Sequence, residues 1–156
     1  MNGVGGPGTQ RGAVAIEFAG VFILFFAVLY GLLGYCVPLL MLQSFNDAAA
    51  AGARVAVSVN PQAPGGYNAA LKAAVDNAVT QRLRWMPASW RNGCYGGQFM
   101  ATPTTESVSG RDYTRVQVCV SYPYATSPIV PLLTLPGIGT VPRLPDVLSG
   151  TASVLL

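Results

Sequence analysis

From Phe18 to Leu42 the chain carries no charged residue over 25 consecutive positions, FAGVFILFFAVLYGLLGYCVPLLML. As a helix this run is long enough to cross a hydrocarbon core of roughly 30 Å. Fifteen of its residues are Phe, Leu, Ile or Val, each favouring insertion by roughly 0.3–0.6 kcal/mol. Their sum outweighs a few glycines and the acidic residue at the edge of the run. Core helices of soluble domains are rarely this long and this uniformly apolar, so the run predicts a membrane span. In a chain of 156 residues that leaves room for one small further domain.

The flanks suggest how the span is used. Residues 1–10, MNGVGGPGTQ, are Gly-rich and show no apolar period, which predicts a disordered leader. Arg11 precedes the span, and the next basic residue is Arg54. The positive-inside rule therefore places the N-terminus in the cytoplasm and exports the C-terminal part. Pro38 removes a backbone donor inside the run and predicts a kink. Beyond it, Gln43–Val59 keeps a helical, Ala-rich composition, with Phe45, Ala49, Gly52, Ala53 and Ala56 along one face. One long helix is expected from about residue 13 to residue 58, ended by Asn60-Pro61 and Pro64-Gly65-Gly66.

The remainder reads as a small α+β domain. Leu71, Ala74, Val75, Ala78, Val79 and Leu83 follow the 3.6-residue period, with Asn68 as the expected N-cap and a stop near Arg84. Arg115–Tyr122 alternates strictly, with Val116, Val118 and Val120 on one side and Gln117, Cys119 and Ser121 on the other. Leu148–Leu156 suits a closing strand and Tyr95–Thr102 a weak one. The Pro-, Gly- and Leu-rich stretch 123–146 has no clean period; its apolar part, Ile129–Leu135, suits a cover over the small core or, as the alternative, a contact with membrane or a partner.

The most informative residues are Arg11-Gly12-Ala13-Val14-Ala15-Ile16-Glu17-Phe18. A carboxylate at the mouth of a membrane helix is costly unless paired, and ionisable groups there are functional candidates. Cleavage after Gly12 would create an α-ammonium on Ala13, and Glu17 could neutralise that charge on a neighbouring subunit. This arrangement of Gly12, Glu17 five positions later, Phe18 and an apolar helix resembles the opening of type IV prepilins. Together with Asp47-Ala48-Ala49-Ala50-Ala51-Gly52-Ala53-Arg54, it looks like TadE-like and TadG-like proteins of the Flp and Tad branch. The resemblance covers about the first 59 residues well and the remainder loosely. It implies a pseudopilin that is cut at Gly12–Ala13 by a prepilin peptidase and helps to assemble a tight-adherence pilus, with other pilin-like subunits, assembly proteins and the lipid bilayer as partners.

Other classes have little support. The chain has no histidine, which excludes Ser/His and Cys/His nucleophilic pairs. The acids form no metal-like cluster, GVGGPG lacks the Lys-Ser/Thr of a phosphate loop, and no cofactor is expected. A net charge of +3 without a dense basic patch argues against nucleic acid. Cys36 lies in the span, leaving Cys94 and Cys119 as the natural disulfide if their domain is extracytoplasmic. Ala13, Gly20, Ala27 and Gly34 recur every seven residues, a strip of small side chains that would let helices approach closely.

The organisation expected is a leader (1–12), a transmembrane and emergent helix (13–59), and an extracytoplasmic α+β domain (60–156) with one further helix and a small antiparallel sheet. The function expected is that of a minor pilin or pseudopilin in the inner membrane. The alternatives are a single-pass anchored periplasmic binding protein outside any filament, and a secreted product whose signal is removed.

Overall fold

The computed structural model describes residues 11–135 and 139–156; the expected leader, apart from its last two residues, lies outside them. One helix, α1 (Arg11–Val57), accounts for 47 residues. Its most apolar 18-residue window is wholly unburied within the chain, whereas a soluble core helix would be covered. Helical structure continues without a break through Pro38, whose side chain is buried.

The upper part of α1 is the spine of the domain. Gly34, Pro38, Met41, Phe45, Ala48, Ala49, Gly52 and Ala56 form its buried face, at the three- and four-residue spacing of one side of a helix. Most of these side chains are small, so two further layers approach its axis closely. One layer is α2 (Tyr67–Arg82), which buries Leu71, Val75 and Val79. Its start differs from the Asn68 cap expected from sequence. Gly66 occupies the cap with φ 95° and no side-chain bond, a left-handed conformation suited to glycine, and the helix ends at Arg82 rather than Arg84. The Asp47 carboxylate accepts from the Arg82 guanidinium at 3.4 Å, an exposed pair worth at most about 1 kcal/mol.

The other layer is an antiparallel sheet. After a single 3₁₀ turn (Ala88–Trp90) come β1 (Asn92–Gly93), β2 (Thr104–Val108), β3 (Arg111–Tyr122), β4 (Leu133–Leu135), β5 (Gly139–Val141) and β6 (Leu148–Leu155). The long strand β3 is central. It pairs with β6 from Arg115↔Leu155 to Tyr122↔Leu148 on one edge, and with β1 and β2 on the other. Val116, Val118 and Val120 are fully buried, as the alternation predicts. Two glycines let the layers meet. A Cβ on Gly52 would lie 3.1–3.3 Å from Val79, Val118 and Val75, where α1, α2 and β3 converge. A Cβ on Gly150 would lie 2.4 Å from the backbone carbon of Phe45.

Tyr95–Thr102 is not a strand. It is a tight loop with isolated bridges Tyr95↔Gln98 and Met100↔Val118, and Cys119 N–H donates to the Phe99 carbonyl at 2.8 Å. The loop backbone crosses Gly93 so closely that a Cβ there would meet Gln98 C and O at 2.0 Å. Cys94 and Cys119 are joined in a disulfide across 25 residues, their Cα atoms 5.5 Å apart. Closing a loop of that length removes roughly 3 kcal/mol of unfolded-state entropy. The double change Cys94→Ser/Cys119→Ser should lower the unfolding free energy by about that amount, measured by urea titration in detergent. An unchanged midpoint would contradict this.

Candidate functional site

The residues singled out by sequence lie together on the bare half of α1. Every residue from Gly12 to Leu29 is exposed, so no part of the chain's own domain competes for this surface. Gly12 and Ala13 are both helical and exposed. Glu17 is one turn above Ala13 on the same face, at the i, i+4 spacing that brings side chains together. It makes no ion pair among the described residues. Phe18 begins an aromatic ladder: it stacks on Phe22 with centroids 5.8 Å apart, and Phe22 meets Phe26 at 4.6 Å.

The seven-residue series of small side chains has a structural continuation. Positions 13, 20, 27 and 34 lead directly to Met41 and Ala48, both buried against the domain. Gly34 is already occupied, since a Cβ there would meet the Pro142 ring at 3.6 Å, whereas Gly12 and Gly20 have nothing within 4 Å. The open part of the strip is therefore the lower one, beneath the domain.

The described residues thus present an exposed carboxylate at Glu17, an exposed Gly12–Ala13 bond, and a helix that continues directly into a small-residue core. Residues 12–54 match the TadE-like protein family. The matched stretch starts at Gly12, includes Ala13, Glu17 and Phe18, and ends at Arg54, three residues before α1 does. No curated protein and no solved structure matches the chain. The match lies on the candidate membrane helix and stops before α2 and the sheet.

Chemically the matched segment offers an exposed apolar rod with one acid, Glu17. Among the described residues no group of three or more His, Cys, Asp or Glu is placed to hold a metal ion. The one strongly packed polar cluster belongs to the domain. Tyr122 donates to the Ser127 carbonyl at 2.6 Å, and burial, then the neighbouring Tyr124, push its phenol above the ordinary range. Sequence reasoning missed Tyr30 and Tyr35, which tie the loop around β4 and β5 to α1. Tyr30 OH donates to the Pro131 carbonyl, and Arg143 N–H donates to Tyr35 Oη at 3.0 Å. Two tyrosines at the upper end of a span were the available signal, because such residues favour the membrane boundary.

Proposed function

We propose that this chain is a pilin-like structural subunit of a bacterial inner-membrane assembly that builds a Tad-type pilus or a related secretion machine. In this reading the N-terminus is cytoplasmic, α1 crosses the membrane once and the disulfide-bonded domain is extracytoplasmic. A prepilin peptidase cuts between Gly12 and Ala13, and the new ammonium on Ala13 pairs with Glu17 of an adjacent subunit as the helices pack. The observation that supports the reading is that the TadE-like match begins on the part of α1, Gly12–Leu29, that the domain leaves bare. A helix devoted only to anchoring needs no acid inside its first turns and no recognisable Gly–Ala bond. A packing helix uses both.

The test is the N-terminal sequence of the protein purified from membranes of cells that carry the peptidase. A start at Ala13 is expected, and Gly12→Leu should block it, leaving a chain longer by the leader on a gel. An intact Met1 would remove processing from the proposal and favour an anchored protein outside any filament. A start beyond residue 45 would overturn the membrane reading altogether.

A further inference from the structure

The bare part of α1, Gly12–Leu29, contains 18 residues and is about 27 Å long, close to the thickness of a hydrocarbon core. The apolar run nevertheless continues to Leu42. From Tyr30 upward one side of the helix is covered by its own domain. The covering piece is the segment around β4 and β5, held by the bonds from Tyr30 to Pro131 and from Arg143 to Tyr35, and by Pro142 against Gly34. This segment therefore hangs beside α1 at the height where the helix would leave the lipid.

Its composition is unusual for a loop in water. No charged residue occurs from Val116 to Pro142, and Leu132 and Leu133 remain 44% and 43% exposed. Leu39 and Leu40 on α1 and Val147 before β6 are about half exposed. Pro38, Leu42 and Leu148 join Leu39 and Val147 in lining an apolar cleft of about 290 Å³. The charged pair of the sheet, Glu106 and Arg115, sits instead near the β2–β3 hairpin, at the opposite end of the domain. Arg143, the first charge after the neutral stretch, is exposed just after β5.

We infer that the described strands β4 and β5, with Leu132 before them and Arg143 after them, form an interfacial skirt. Leu132 and Leu133 dip to the headgroup–acyl boundary of the leaflet on the domain's side, and Arg143 reaches the phosphate level. The exposed leucines are continuous with the lipid-facing surface of α1, and a long cationic side chain can reach from apolar surroundings to the headgroups. The skirt fixes how deeply α1 sits and how the domain is oriented above the bilayer. This inference rests on α1 spanning the membrane, and the test separates the two.

The experiment uses the full chain with Cys36→Ser, reconstituted in vesicles of mixed zwitterionic and anionic phospholipid. A nitroxide is attached to Leu133→Cys, and to Phe22→Cys and Val108→Cys as mid-span and distal references. Collision rates with oxygen, which concentrates in lipid, are compared with those of a water-soluble nickel chelate. Expected is a deep label at 22, an aqueous label at 108, and a label at 133 of intermediate depth, with an oxygen-to-chelate ratio several-fold above that at 108. A deep label at 22 with a fully aqueous label at 133 would overturn the skirt and leave the span intact. A label at 133 shielded from both reagents would overturn it in favour of a protein contact, such as a second copy. A label at 22 that is not deep would remove the span and the skirt together.

Discussion

Gly150→Ala should release the sheet from the long helix and leave the domain largely unfolded. The added Cβ would lie 2.4 Å from Phe45 C, 2.5 Å from Asn46 N and 2.8 Å from Phe45 Cβ. Two of these are backbone atoms of a helix, which cannot rotate away as a side-chain end would. The strand has no more freedom, because Gly150 pairs with Val120 in the middle of the β3–β6 ladder. Relief requires the whole layer to move out, opening space around Phe45, Val118 and Val120, all fully buried. Overpacking of this kind costs about 3 kcal/mol or more, a large part of the 5–15 kcal/mol that typically holds a domain. The measurement is urea unfolding in detergent followed by protease resistance, with Ala152→Gly on the same strand as the milder comparison. A Gly150→Ala midpoint within about 0.5 kcal/mol of the parent would show that β6 does not dock on α1 as described.

The second large effect concerns assembly rather than folding. Glu17→Ala should leave insertion, domain stability and expression unchanged while abolishing most incorporation into, or support of, the pilus. Glu17 is exposed and touches no part of its own domain, so its removal takes nothing from the fold. In lipid, however, it would leave the ammonium of a neighbouring Ala13 without a counter-charge. If the pair contributes roughly 2–3 kcal/mol at the membrane edge, association between subunits should weaken by about 30- to 150-fold. Surface pili counted by microscopy, together with in-membrane crosslinking of the subunit, would measure this. Glu17→Asp, which retains the charge on a shorter stem, should recover part of the loss. Wild-type piliation by Glu17→Ala would dismiss the pairing and favour a carboxylate that merely reaches the headgroups.

Both predictions follow from a division of labour within one helix. Below Tyr30, α1 is exposed on every side; above Gly34, one of its faces is covered by its own domain. The same seven-residue series runs through both parts, with small exposed residues in the lower one and Met41 and Ala48 buried against the domain in the upper.

Much of this was legible in the residues alone because the signals are local. Membrane insertion sums over consecutive side chains, so Phe18–Leu42 identified the span without reference to any partner. The period of Leu71, Val75 and Val79 and the alternation of Val116, Val118 and Val120 record which face is buried, so α2 and β3 were readable. The cysteines were separable because one of the three lies inside the apolar run. Gly12, Glu17 and Phe18 carried the TadE-like resemblance.

What the sequence could not show depends on contacts between distant segments. Strand β2, Thr104–Val108, is polar and mostly exposed on both faces; it is extended because β3 supplies its hydrogen bonds and Ser109–Gly110, both at positive φ, turn the chain. Strands β4 and β5 lie in a stretch with no period, and their place is set by Tyr30, Gly34 and Tyr35 more than a hundred residues away. The Tyr95–Thr102 segment has strand-like residues, yet it crosses Gly93 closely as a loop. Gly66 displaced Asn68 as the cap, since a positive-φ glycine there lets α2 begin at Tyr67, directly after the Pro64-Gly65-Gly66 break. Local hydrophobicity and periodicity determined the helix, the core faces and the family likeness. Tertiary contact alone decided where the polar and proline-rich strands settled, because their backbone partners are chosen by proximity and not by pattern.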